Sequence, residues 1–150
     1  MTYIDNLIKN CESAKAAVPQ REFVLNDLDE LNDIQKAIYI IEELNGNSEQ
    51  TFLAFSKYKE SKARACARLN APSATMYVGS STTGVKSRIK QHLGDGPKGT
   101  YALHLSEWFK GEYRITILVY EEPIEVIQII EDALSHKHNP AFGKRGGNNK

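Results

Sequence analysis

Two charged side chains sit beside apolar stripes, where charge is costly unless it has work to do: Arg88 and Glu131. Arg88 borders an expected inner stripe of Val85, Ile89 and His92 or Leu93, on a helix that follows a strand. The forked donors of a guanidinium match phosphate oxygens. At that place the side chain either clamps a phosphate or lies along its helix and pairs with an acid. Glu131 borders the stripe Val126, Ile127, Ile130, Ala133 and Leu134 of a later helix. A lone carboxylate there either ligates a divalent cation through hard oxygen or is simply solvated. His92 follows Arg88 by four residues and flanks the same stripe.

Other chemistry finds less support. The histidines, His92, His104, His136 and His138, lack zinc spacing, and Cys11 and Cys66 are far apart. Both cysteines fall on expected apolar stripes and read as buried filler, with a Cys–His nucleophile pair as the open second option. Gly94 to Gly99 has glycines without the strand-turn-helix setting of a nucleotide cradle.

The chain has 150 residues, 41% of them hydrophobic and 25% charged, which suits one domain with its own core. No apolar run approaches the roughly 18 to 20 residues of a membrane span, and the N-terminus does not read as a signal peptide. Two cysteines make no disulfide framework, so a reducing, cytoplasmic setting is expected. The zero net charge hides an asymmetry. From Thr51 to Lys110 ten basic residues face three acidic ones, giving +7, and the remainder carries −7. A basic middle permits a phosphate-bearing partner, or is an ordinary solvated face compensated across the fold.

The elements that would position these residues follow from periodicity. Tyr3 to Ala17 reads as an amphipathic helix stopped by Pro19, and 21–36 as a short helix or helical turns, so 1–36 forms a helical N-terminal extension. Strands are expected at Ala37–Leu44, Thr75–Gly79 and Tyr113–Val119. Between the first two lies an insertion, 45–73, with a helix from Glu49 to about Leu69 capped by Asn47 or Ser48. Further helices are expected at Gly84–Leu93, Thr100–Trp108 and Ile124–Lys137, and 143–150 reads as a flexible tail. The expected fold is a single α/β domain spanning 1–150, with a small sheet.

The order of Ala37-Ile38-Tyr39, Tyr77-Val78-Gly79, Arg88, Glu131 and His138-Asn139-Pro140-Ala141-Phe142 resembles the GIY-YIG nuclease family, closest in layout to its restriction-type members. The resemblance runs from the first strand to Phe142. It implies a central three-stranded antiparallel sheet flanked by helices and a metal-dependent DNA endonuclease using Mg2+ or Mn2+. Tyr39 then matches a general base or water positioner, and Tyr77 a residue that orients the phosphate or the water. Arg88 matches the charge-stabilising arginine and Glu131 the metal ligand. His92 matches a histidine or tyrosine that positions the nucleophile or leaving group.

Three features depart from the family pattern. Ala37 replaces the first glycine, the insertion is long, and Gly143 stands where an asparagine is common, leaving Asn139, Asn148 or Asn149 as substitutes. The expected partner is double-stranded DNA, contacted through Lys57, Arg64 and Arg68 on one side of the insertion helix and through Lys86 and Lys90. A symmetric DNA site would call for a homodimer. The second reading is a non-catalytic nucleic-acid-binding or structural protein that retains the fold.

Overall fold

The run Ala37-Ile38-Tyr39-Ile40-Ile41 is buried on both of its faces, which only a strand flanked by strands and covered by two layers achieves. The computed structural model describes residues 2–144. Its elements are α1 (Tyr3–Ala16), β1 (Arg21–Val24), a 3-10 turn (Leu28–Leu31), β2 (Ala37–Leu44), α2 (Ser48–Glu60), β3 (Thr75–Ser81), α3 (Val85–Leu93), α4 (Leu105–Trp108), β4 (Glu112–Val119) and α5 (Ile124–His138). All strand pairs are antiparallel, in the order β1-β4-β2-β3. Among the described residues no helix is long and apolar enough to cross a membrane.

The sheet therefore has four strands, where three were expected. The fourth is Arg21–Val24, paired with β4 from Arg21↔Val119 to Val24↔Thr116. It sits at the sheet edge with only Phe23 turned inward, so it carries little apolar alternation. The three-residue leucine spacing that suggested a helix there is spent on the 3-10 turn alone, closed by Asp27 and Glu30 in a capping box. Consequently 1–36 is not wholly helical, and the insertion lies between the second and third strands.

Alternation along β2 feeds two cores. Ala37, Tyr39 and Ile41 face Phe55 of α2, Ile89 of α3, Leu105 and Phe142. Ile38 and Ile40 face Val126, Ile127 and Ile130 of α5, against which α1 leans through Ala14 and Ala17. Cys66 lies in the first core as expected, whereas Cys11 is exposed on α1.

The insertion helix stops at Glu60, nine residues short of its expected end. Lys62 turns to positive φ, and 64–70 runs extended between two partners. Ala65 and Ala67 donate to the carbonyls of Lys98 and Ala102, while Asn70 donates to Ala141 and Gly143 donates to Arg68. These tertiary bonds override a weak helical preference. They also explain why α4 is short, because 100–104 is needed as the strap's partner. The C-terminal segment, in turn, hydrogen-bonds the edge of β3 through Ala141 N–H to Thr75 and Phe142 N–H to Met76. Residues 145–150 of the expected tail lie outside the described residues.

Phe142 locks this layer. Its ring lies 4.4 Å from Phe55, 5.7 Å from Phe52 and 6.3 Å from Trp108, centroid to centroid, and is fully buried. Phe142→Ala is expected to destabilise the protein by about 3–5 kcal/mol, read as a lower urea midpoint. A loss below about 1 kcal/mol would show that the C-terminal segment is not part of the cooperative core.

Candidate active site

Tyr39 is paired with Gly79 across β2 and β3, and Tyr77 stands two residues away on the same face. The two phenol rings are nearly parallel, 8° between planes and 6.1 Å between centroids. A Cβ at Gly79 would lie 2.6 Å from the Tyr39 hydroxyl and 2.7 Å from the Tyr77 ring. Glycine is therefore the residue that lets both tyrosines close over this strand position.

β3 is an edge strand, so side chains from both faces of the sheet can meet beside it. A cavity of about 210 Å³ there is lined by Tyr39, Tyr77, Gly79, Ser80, Arg88, Glu131 and Lys144. Four of the five expected catalytic residues thus share one pocket. Arg88, half-buried on α3, donates from Nη1 to Gln91 Oε1 at 2.8 Å and from Nη2 to the Tyr77 hydroxyl at 3.2 Å and the Tyr101 carbonyl at 2.9 Å. It does not pair with an acid along its helix. Glu131 is buried at 6% exposure, and its Oε1 accepts from Ser80 Oγ at 2.5 Å. The solvated-border alternative therefore does not hold.

His92 lies behind the pocket and lines none of it. It is fully buried, and its Nδ1 accepts from the Leu103 N–H at 3.2 Å. A nitrogen that accepts carries no proton, so the neutral ring is protonated on Nε2, which donates to the Tyr39 hydroxyl oxygen at 3.0 Å. The Leu103 carbonyl, which belongs to the following peptide unit, accepts from Trp108 Nε1–H at 2.6 Å. Two oriented donors in series, Leu103 N–H and His92 Nε2–H, thus lead to Tyr39, leaving the Tyr39 proton free to point away from His92. Burial holds His92 well below the usual imidazole value, with Arg88 adding to the effect, so it is neutral at physiological pH.

Burial pushes the Tyr39 phenol well above its ordinary range, aided by Tyr77 and opposed by Arg88. Burial also raises Glu131, against the Ser80 hydrogen bond and the Lys144 ammonium. Among the described residues no group of three His, Cys, Asp or Glu side chains could hold a metal. Glu131 nevertheless fits a cation that keeps most of its water, because one carboxylate oxygen remains beyond the Ser80 bond in a polar cavity.

Three pocket residues were not anticipated. In the sequence Gly79 stands out only as a motif letter, and its reason is the space it leaves. Ser80 shares the strand face of Ile38, Ile40 and Val78, so a hydroxyl on an apolar face was a usable signal. For Lys144 the sequence offers none. Gly143, the departure from the family asparagine, has φ +106°, and a Cβ there would lie 2.7 Å from the Tyr77 ring. An asparagine does not fit this backbone. Asn70 instead holds the turn, donating from Nδ2 to Pro140 and Gly143 carbonyls. Asn139 caps α5 in a left-handed conformation, and Asn148 and Asn149 lie outside the described residues.

The expected DNA contacts scatter. Lys57 is exposed on α2, but Arg64 and Arg68 lie on the extended strap, so the three do not share one helix side. Arg64 donates to the Gly96 carbonyl at 2.9 Å and sits 3.5 Å from Glu107. Lys86 is held by Asp29 and Asn32, and Lys90 lies 3.6 Å from Asp95. Arg68 is exposed.

The raised Glu131 makes a signed prediction. A carboxyl whose folded pKa is raised stabilises the fold below the unfolded value, about 4.5, and that stability is lost as pH rises through the folded value. Glu131→Gln keeps the acceptor for Ser80 and removes the charge. Without added metal it should melt higher than the parent at neutral pH, with the gap closing below about pH 4.5. A lower melting temperature at neutral pH would instead make Glu131 a structural ion-pair partner.

Compared with family models, curated proteins and solved structures, the chain matches none.

Proposed function

We propose that the chain is a metal-dependent endonuclease of the GIY-YIG kind, hydrolysing phosphodiester bonds in double-stranded DNA. The observation that carries this reading is the shared pocket of Tyr39, Tyr77, Arg88 and Glu131, residues drawn from two strands and two helices. Phosphodiester cleavage needs a positioned water, donors for the non-bridging oxygens and positive charge where negative charge grows.

The roles divide by environment. Arg88 meets the phosphate oxygens, with Tyr77 orienting its guanidinium through their hydrogen bond. Lys144 adds a second positive charge to the same cavity. Tyr39 receives a hydrogen bond from His92 and turns its own proton toward water or phosphate. Its raised pKa favours positioning over general-base work at neutral pH. His92 is then a positioning residue that acts through Tyr39. Glu131 would hold Mg2+ or Mn2+, with water and phosphate completing the coordination, and the bound ion would supply Lewis-acid charge. Lys57 and Arg68 remain as exposed backbone contacts.

One observation favours the non-catalytic alternative: the three hydrogen bonds of Arg88 already engage both terminal nitrogens. Substrate must displace some of them. A supercoiled-plasmid assay separates the two readings. Nicking that requires Mg2+ and stops on chelation is expected, whereas DNA binding without cleavage in either Mg2+ or Mn2+ would select the alternative. In the same assay Arg88→Ala should lower kcat by about a hundredfold or more while KM moves little. If that variant cleaves normally at saturation but binds far more weakly, Arg88 is a ground-state grip only.

A further inference from the structure

Arg88 lines the pocket with Tyr39, Tyr77 and Glu131, while Gln91, one turn later on α3, lines a separate and larger cavity of about 540 Å³. The two side chains meet where Arg88 Nη1 donates to Gln91 Oε1 at 2.8 Å. A guanidinium carries donors only, so the amide must present its oxygen. None of the ion pairs among the described residues includes Arg88, so no carboxylate in contact cancels its charge. The helix thus holds this arginine with a neutral acceptor.

The three acceptors of Arg88 differ in how they can let go. The Tyr101 acceptor is a backbone carbonyl, and the Tyr77 ring is stacked on Tyr39 and packs 4.2 Å from His92, centroid to centroid. Releasing either one would move a loop or dismantle the pocket. Gln91 is a half-buried side chain whose stem is held by Gly96, where a Cβ would lie 2.8 Å from Gln91 Cγ. Beyond Cγ the amide can turn into the larger cavity, which Gly84, Lys86 and Ser87 also line. Gln91 is the acceptor that yields.

We propose that the Gln91 amide stands in for phosphate: it holds Arg88 Nη1 before substrate arrives and is displaced by a phosphate oxygen. Nη2 stays on Tyr77 and Tyr101, so the guanidinium keeps its plane while one edge changes partner. A neutral acceptor suits this exchange, because a phosphate brings the full negative charge that an amide oxygen lacks. A carboxylate at the same place would compete with the phosphate on equal terms. Gln91 is therefore a positioning residue that acts through Arg88. The inference rests on the reading of Arg88 as a phosphate contact and not on cleavage.

Filter binding of a short radiolabelled DNA duplex to the full chain, in chelator at fixed low salt, tests it without turnover. Gln91→Glu keeps the shape and adds the charge, and should weaken binding by about tenfold or more. Gln91→Leu removes the acceptor but retains the stem beside Gly96, so binding should stay within about threefold of the parent or tighten. In an Arg88→Ala background the effect of Gln91→Glu should shrink to within about threefold, because it acts through the guanidinium. An undiminished penalty in that background would mean that the new charge repels DNA at large, and would overturn the proposal. So would parental affinity in Gln91→Glu, or a loss in Gln91→Leu equal to that in Gln91→Glu, which marks a structural role. A parent that binds no duplex overturns this inference together with the phosphate role of Arg88. A parent that binds and shows the coupling but never nicks in Mg2+ or Mn2+ retains the inference and loses the endonuclease reading.

Discussion

The pocket rests on an absence of one carbon atom. Gly79 faces Tyr39 across the β2–β3 ladder, and the space where its Cβ would stand is filled by the Tyr39 hydroxyl and the Tyr77 ring. Any other residue would push the two phenols apart. Because Tyr77 holds Arg88 and Tyr39 receives His92, a shift of the rings would also move the guanidinium and break the imidazole bond. The glycine thus fixes the mutual geometry of two strands and one helix through steric exclusion, which needs no strong bond.

A second constraint acts from the far side of Tyr77. Gly143 brings the C-terminal turn against the same ring, and that turn is fixed by Asn70, Arg68 and the edge of β3. The insertion strap therefore serves the site by holding the segment that ends in Lys144. Glycines on two sides of one aromatic ring make a tight slot, and Phe142 anchors the slot to the main core. Residues far apart in sequence become a rigid unit because short polar bonds and ring packing act on the same few positions.

How much of this was legible follows from which forces leave local traces. β2, β3 and β4 announce themselves by β-branched runs, and α3 and α5 by apolar spacing, because burial of one face repeats along the chain. β1 did not, since an edge strand with one inward residue has no such repeat. The end of α2 was misplaced because Ala65, Cys66, Ala67 and Leu69 suit either conformation, and hydrogen bonds to 98–102 and 141–143 made the choice. The gathering of Tyr39, Tyr77, Arg88 and Glu131 was legible only by family resemblance, as no periodicity links a strand tyrosine to a glutamate ninety residues on. Lys144 reaches the pocket through the fold of the C-terminal turn, which no local pattern encodes.

Trp108 is the single tryptophan of the chain, and its Nε1–H donates to the carbonyl of Leu103, the residue whose N–H holds His92 against Tyr39. Its indole also packs on Phe55 and Phe142, at the junction of the core with the C-terminal segment. The emission of one indole is therefore an optical report on two events that would otherwise need separate labels. Undocking of the C-terminal turn would change the apolar surroundings of the ring, and a shift of the Leu103 backbone that releases His92 would disturb the hydrogen bond of its N–H. The protein carries its own fluorophore at the place where its scaffold and its pocket are joined.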